Sequence, residues 1–303
     1  MGKMRGTLLL LGAALIWGLA FVAQTSAATS VAPFTFNAAR SLLAAAFLFV
    51  SIRLKNSWQK PASATAPASS RRLLVQGGLW CGTLTFLAVN LQQFGIASYP
   101  PEAAASGRAG FLTATYVIMV ALYAKLKGQK LHPAVLSAAL LCLVGMYLLC
   151  LSGGFSGLYL GDLLELACAL LFTVYILQIN NYSHLDGLSL SCLQFLVCGL
   201  LSLLGMLLWE TPNWQALSAA WLPICYVGIF SSGVGYTLQI VGQKYAEPAV
   251  ASIVMSLESV FAALSGWLIL GERLSSSELT GCALVFLAVL LAQLPALLAS
   301  RSA

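Results

Sequence analysis

Charge is scarce in this chain. Only 8% of its 303 residues are Asp, Glu, Lys or Arg, whereas a soluble domain carries roughly a quarter, so a water-soluble fold is excluded. There is no Gly-x-x-x-x-Gly-Lys-Ser/Thr loop to cradle nucleotide phosphates, which leaves ATP-driven work by this chain alone without a site. The two histidines, His132 and His184, fall in loops. The eight cysteines, Cys81, Cys142, Cys150, Cys168, Cys192, Cys198, Cys225 and Cys282, form no Cys-x-x-Cys pair. They read as reduced apolar fillers rather than disulfides or metal ligands, and no cofactor is expected. No convergent His, Asp and Ser groups are visible at an interface, so an enzyme is not expected either.

Apolar residues are abundant instead: 60% of the chain, with a mean hydropathy of +0.90. They run for twenty or so positions between polar breaks, where a membrane β-barrel would alternate in segments of about ten. A helix needs about 20 such residues to cross roughly 30 Å of hydrocarbon. The sequence therefore predicts an all-α membrane protein with ten transmembrane helices, near 7–27, 33–52, 73–96, 102–124, 133–152, 161–181, 188–209, 219–241, 247–270 and 278–298. Pro33, Pro100-Pro101, Gly128, Pro133, Gly153-Gly154, Gly187, Pro212 and Gly271 mark the breaks. The one long linker, 53–72, is rich in Ala, Ser and Pro and reads as a flexible loop.

Cations that stay cytoplasmic during insertion set the orientation. With the N-terminus inside, Lys3, Arg5, Arg53, Lys55, Lys60, Arg71, Arg72, Lys125, Lys127, Lys130, Lys244 and Arg301 are cytoplasmic, twelve of the fifteen Lys and Arg residues. The far side holds Arg273, while Arg40 and Arg108 fall inside spans. The net charge of +6 thus reflects topology next to anionic lipid, not a nucleic-acid surface. The loop around His184 and Asp186, also cytoplasmic in this scheme, carries neither Lys nor Arg. Lys3 and Arg5 before an apolar run, with Thr25-Ser26-Ala27-Ala28 behind it, would also suit a cleaved signal peptide. The likeness of the first span to a later one argues against that.

That likeness belongs to an internal repeat. Gly128-Gln129-Lys130-Leu131 follows the fourth span and Gly271-Glu272-Arg273-Leu274 the ninth, 143 residues on. Pro101-Glu102-Ala103-Ala104 opens the fourth span much as Glu247-Pro248-Ala249-Val250 opens the ninth. Gly6-Thr7-Leu8-Leu9-Leu10 opens the first as Gly161-Asp162-Leu163-Leu164-Glu165 opens the sixth, and Leu91-Gln92 parallels Leu238-Gln239. Five spans per repeat is an odd number, so the halves, residues 1–152 and 153–303, must sit inverted in the membrane. That arrangement lets a central site open to either face.

The segment from Glu247-Pro248 through Ser256-Leu257-Glu258-Ser259-Val260-Phe261-Ala262-Ala263-Leu264 to Gly271-Glu272-Arg273-Leu274 resembles EamA-type permeases of the drug/metabolite transporter superfamily. So do Asn90-Leu91-Gln92-Gln93-Phe94-Gly95, Ala109-Gly110-Phe111-Leu112-Thr113 and Trp17-Gly18. Ser259 departs from the pattern, standing where many relatives have Pro. The resemblance covers essentially the whole chain. It implies a secondary active transporter of a small metabolite, such as an amino acid or drug, working as an exporter in the bacterial inner membrane with both termini cytoplasmic. The alternative is a facilitative importer or exchanger on the same fold. Protons are the candidate coupling ion, and no feature of the sequence sets an oligomeric state.

Polar residues placed in hydrocarbon are the candidate substrate contacts, because burying them unpaired costs several kcal/mol. Glu258 lies near the middle of the ninth span, as a proton or cation site or as a partner for a buried Arg. Arg108 suits a carboxylate or phosphate, or else pairs with Glu165 or Glu258. Trp17, Trp80, Asn90, Gln93, Tyr116, Tyr175, Gln178, Tyr236 and Gln239 complete the expected lining, with Gln92 nearby; the aromatic rings would hold an apolar group or a cation. Arg40 reads as a structural cation able to snorkel outward, and Glu165, one turn below Asp162, as an acid favoured by a helix N-terminus. Gly78 and Gly82 read as a close helix contact, and Trp58, Trp209, Trp214 and Trp221 as interface anchors.

Overall fold

The computed structural model describes residues 2–58, 68–100, 105–128, 132–151, 159–270 and 276–301. Among the described residues every regular element is helical. In chain order these are α1 (Gly2–Ala28), α2 (Pro33–Trp58), α3 (Ala68–Ser98), α4 (Ala105–Ala114), α5 (Tyr116–Leu126), α6 (Pro133–Leu151), α7 (Leu160–Tyr182) and α8 (Gly187–Trp209). There follow α9 (Trp214–Ala219), α10 (Trp221–Cys225), a π segment (Tyr226–Gly235), α11 (Tyr236–Gln243), α12 (Pro248–Met255), α13 (Leu257–Leu270) and α14 (Ser276–Arg301). Seven helical stretches among the described residues are long and apolar enough to cross a membrane, and three shorter apolar ones, Pro133–Leu148, Pro248–Ala262 and Leu279–Ala292, accompany them.

The distribution of side chains is that of a protein solvated by lipid. Leu8, Phe49, Leu79, Leu140, Leu170, Leu204 and Phe286 are exposed, while Asn37, Gln93, Asp162, Glu165 and Gln194 are buried. Lipid gives no hydrophobic reward for hiding Leu, but every polar group must find a partner inside the bundle. Small residues let the helices close up. A Cβ on Gly78 would meet Leu193, and one on Gly82 would meet Val197 and the Gln194 carbonyl, so α3 rides directly on α8.

Two ends of the bundle can be told apart. At one, Lys55 at the end of α2 pairs with Asp186 at 3.1 Å, Lys244 reaches the Leu185 carbonyl at 2.7 Å, and Gly6 lies against Tyr245. The loop around Asp186 thus takes its cations from two other segments. At the opposite end, Glu210 accepts the backbone N–H groups of Phe34 and Thr35, at 2.8 and 2.7 Å, and so anchors the free start of α2.

Two of the expected spans are interrupted. The fourth breaks at Thr115, whose hydroxyl donates to the Leu112 carbonyl, and the ninth at Ser256, whose hydroxyl donates to the Ile253 carbonyl at 2.6 Å. In each case a side chain competes for the helix's own acceptor. The break at Ser256 thus exists without the proline that Ser259 replaces. The eighth span widens into the π segment after Pro223, which has no N–H to donate. The linker expected over 53–72 is narrower, because α2 runs on to Trp58 and α3 begins at Ala68. Its middle, together with Pro101 to Ala104, Gln129 to Leu131, Gly153-Gly154 and Gly271 to Leu274, lies outside the described residues.

Candidate functional site

A cavity opens where the interrupted helices meet, holding about 530 Å³ of space between its walls, open side included. Helix α1 contributes Trp17, Ala20, Phe21 and Gln24, one face at helical spacing. Arg40 comes from α2, Gln92 from α3, Thr113 from α4 and Tyr116 from the first residue of α5. The second half of the chain supplies Phe172 and Ile176 from α7, Ser231 from the π segment, Tyr236 and Gln239 from α11, Met255 from α12 and Glu258 from α13.

The helix breaks place the polar groups. Tyr116 and Glu258 each follow an interruption, and the Tyr116 hydroxyl donates to Glu258 Oε1 at 3.2 Å. Trp17 donates its indole N–H to the Ser231 carbonyl at 3.2 Å and meets the Tyr236 ring edge-on at 5.1 Å. Gly235 permits this approach, since a Cβ there would stand 2.8 Å from the indole nitrogen. Tyr236 is backed in turn by Phe195 at 5.0 Å and Tyr175 at 5.8 Å.

Arg40 does not snorkel. It is 2% exposed, donates from Nε to Asn37 Oδ1 at 2.6 Å, and lies over the Phe36 ring at 5.8 Å. Asn37 is held by Asn90 at 3.0 Å, and Asn90 by Ser202 at 3.1 Å. This chain of bonds fixes the guanidinium while its Nη2 has no hydrogen-bond partner. The Oε1 atoms of Gln24 and Gln239, both buried cavity residues, are also without partners. A buried donor and two amide ends left open in one cavity are groups that a polar ligand can satisfy.

Of the residues singled out from sequence, Trp17, Tyr116, Tyr236, Gln239 and Glu258 line this cavity, and the other six do not. Trp80 is 57% exposed and looks out of the bundle. Asn90 is fully bonded one step behind Arg40. Gln93 donates to the Gln24 carbonyl at 3.3 Å. Tyr175 donates to Gln194 at 3.2 Å, and Gln178 accepts from Asn181 at 3.3 Å. Arg108 pairs with Asp162 rather than with Glu165 or Glu258. Its Nε and Nη2 lie 3.1 and 2.7 Å from the two carboxylate oxygens, and the guanidinium sits 4.8 Å from the Tyr159 ring. Asp162 in turn accepts from the Tyr99 hydroxyl at 2.8 Å and the Tyr159 N–H at 3.0 Å. Among the lining residues that sequence reasoning did not select as substrate contacts are Arg40, Gln24, Phe21, Thr113, Phe172 and Ser231; for Gln24 and Phe21 the signal was their spacing from Trp17 on one helix face.

Comparison with known proteins agrees with this architecture. The chain is 29% identical over 283 residues to an uncharacterized transporter of Archaeoglobus fulgidus, a match covering 93% of this chain and 83% of that one. It superposes on a protein crystal structure with a TM-score of 0.76 at 23% identity, covering 98% of both chains, which shows a shared fold. The model of the EamA-like transporter family matches residues 4–151 and again 159–294. By that match over nearly its whole length, the chain belongs to the EamA-like transporter family and is a multi-pass membrane protein.

Proposed function

We propose that this protein is a secondary active transporter that exports a small metabolite by alternating access, rather than an enzyme. Its ten spans form two inverted halves, 1–152 and 153–303, with α4–α5, α10 to α11 and α12–α13 each an interrupted crossing. The observation that carries the reading is a cavity walled by both halves, with Arg40 and Glu258 in its lining and open hydrogen-bonding groups among them.

Inversion draws support from the packing partners. Helix α3 lies on α7 as α1 lies on α11 and the π segment, α4 and α5 pack on α7 as α12 and α13 pack on α1, and α2 pairs with α8 as α6 does with α14. The family model also matches twice. In this reading Arg40 takes a carboxylate or phosphate of the substrate, Gln24 and Gln239 orient it, and Trp17, Phe21 and Tyr236 hold its apolar part. Glu258 contributes charge or a proton. The membrane is the bacterial plasma membrane, with both termini in the cytoplasm.

The test begins with a thermal-shift screen of free amino acids and sugar phosphates on detergent-purified protein, since a ligand raises apparent stability by mass action. The hit is then followed in proteoliposomes with and without a proton gradient. Arg40→Gln and Glu258→Gln should each lose most of the flux; wild-type rates in both would remove the cavity as the transport site.

A further inference from the structure

Glu165 is a buried carboxyl that the transport reading does not use. It is fully buried on α7, pressed against α3 so closely that a Cβ on Gly95 would stand 2.6 Å from its Oε1. That Oε1 has no hydrogen-bond partner. The neighbouring cation, Arg108 on α4, is engaged in its bidentate pair with Asp162, one helical turn away from Glu165 on the same helix. The other titratable neighbours are Cys168 on α7 and Tyr99, just past the end of α3, both of which feel the charge of Glu165. On α5 and α13, Tyr116 and Glu258 bond each other; Tyr236 stands on α11, and α12 has no titratable residue. Arg40 on α2, whose charge reaches Cys168, is held by Asn37 and is not bonded to Glu165, whose Oε1 stays without a partner.

The carboxyl is nevertheless one hydroxyl away from the cavity. Thr113, a lining residue, donates its O–H to Glu165 Oε2 at 2.7 Å, while its oxygen accepts from Gln92, also in the lining, at 3.3 Å. Its single hydrogen is thus aimed at the carboxyl and its oxygen is turned to the wall. We propose that Glu165 is a proton-binding site of this transporter, loaded and unloaded from cavity water through the Thr113 hydroxyl. On loading, a hydronium ion in the cavity gives a proton to Thr113 Oγ1 and is left as water, while the threonine's own proton passes to Glu165 Oε2. The threonine ends as it began, and the carboxylate has become a carboxylic acid. Unloading is the reverse. The site rests on the reading of the cavity as a water-filled transport path, and it adds an ionisable group distinct from Glu258.

Infrared difference spectra of the full-length protein in lipid nanodiscs, taken between acid and alkaline buffer, test this with the proton as the only ligand. The expected result is a carboxylic C=O band that disappears in Glu165→Gln, moves in frequency in Glu165→Asp, and titrates at least tenfold more slowly in Thr113→Val. Glu258→Gln should remove a different band. If Glu165→Gln retains helical circular dichroism and its spectrum superimposes on that of the wild type, the proposal is overturned. If Glu165→Gln does not fold, an unmoved band in Glu165→Asp overturns it instead. A positive spectrum beside unchanged flux in the Arg40 and Glu258 variants would sink the transport reading alone, and the opposite pattern would sink only the proton site.

Discussion

Tyr116 donates its hydroxyl to Glu258 across 3.2 Å, and each of the two residues sits at the start of a helix segment just beyond an interruption. The bond therefore ties the break between α4 and α5 to the break between α12 and α13, at the wall of the cavity. Tyr116→Phe keeps the ring and removes the donor, so the carboxyl loses its one bond from Tyr116 without a packing change. The expected cost is about 1 kcal/mol, roughly fivefold when read as a rate. Melting in detergent and initial flux in proteoliposomes would register it, and an unchanged flux would show that the tie is slack during transport.

The Arg108 and Asp162 pair should behave differently, because both side chains are nearly fully buried, with 6% and 2% of their side-chain surface exposed. Removing one partner strands the other charge, which costs about 3–5 kcal/mol. Asp162→Asn and Arg108→Gln should each lower the melting temperature sharply, while the double variant is more stable than the sum of the two losses allows. Strict additivity in that cycle would mean that the bonds from Tyr99 and Tyr159, not the ion pair, hold this end of the bundle.

How much of this was readable in the sequence depends on the question asked. Long apolar runs fix where helices cross, and Pro33, Pro133, Gly187 and Pro248 stand at or beside the helix starts observed. Rotation about each helix axis is another matter. In lipid an apolar face earns nothing by turning inward, so Trp17 and Trp80 look alike in sequence, yet one lines the cavity and the other faces out. Arg40 was obscured for the same reason: the Asn37 and Asn90 bonds that hold it inside come from two different helices. Partner choice for Arg108 was settled by Asp162 one turn before Glu165, a distinction that spacing alone does not make.

Gly18 offers a test of close approach. A Cβ at this position would meet the Phe261 Cβ and, at 2.8 Å, two backbone atoms of α13, the Ala262 nitrogen and the Glu258 carbonyl. Backbone cannot swing aside as a side-chain tip can, so Gly18→Ala must push α1 away from α13. The expected destabilisation is about 1–3 kcal/mol, with loss of flux because Trp17 and Glu258 flank the contact. A fully active Gly18→Ala protein would show that α1 and α13 separate at little cost.

At the end marked by Lys55, Asp186 has two jobs. It accepts the Ser189 N–H at 2.9 Å, capping α8, and receives Lys55 at 3.1 Å. Burial pushes its carboxyl up, but the hydrogen bonds from Ser189 and Lys55 outweigh that and hold it below the ordinary aspartate value. A carboxyl lowered in the folded state contributes stability above its unfolded value and loses it as pH falls through the folded one. Asp186→Ala should therefore cost about 1 kcal/mol at neutral pH through the lost cap, and the difference from wild type should fade below about pH 4. Lys55→Ala should cost less, under about 1 kcal/mol, since the pair is exposed. Melting curves across that pH range would separate the two.

Arg40 presents the sharpest prediction, because its geometry divides the guanidinium into a held side and an open side. Nε is spent on Asn37 and the plane lies over Phe36, while Nη2 is left without a partner beside the cavity. Lysine carries the same charge but lacks the planar fork, so its one ammonium cannot stand both at the Nε position beside Asn37 and at the open Nη2 position. Arg40→Lys should then weaken an anionic ligand roughly tenfold, about 1.4 kcal/mol, where Arg40→Gln abolishes binding. The thermal shift produced by a carboxylate-bearing hit should follow the same order, wild type above Lys above Gln. Equal shifts in all three proteins would mean that the open Nη2 faces water throughout the cycle and that the substrate's acidic group lies elsewhere.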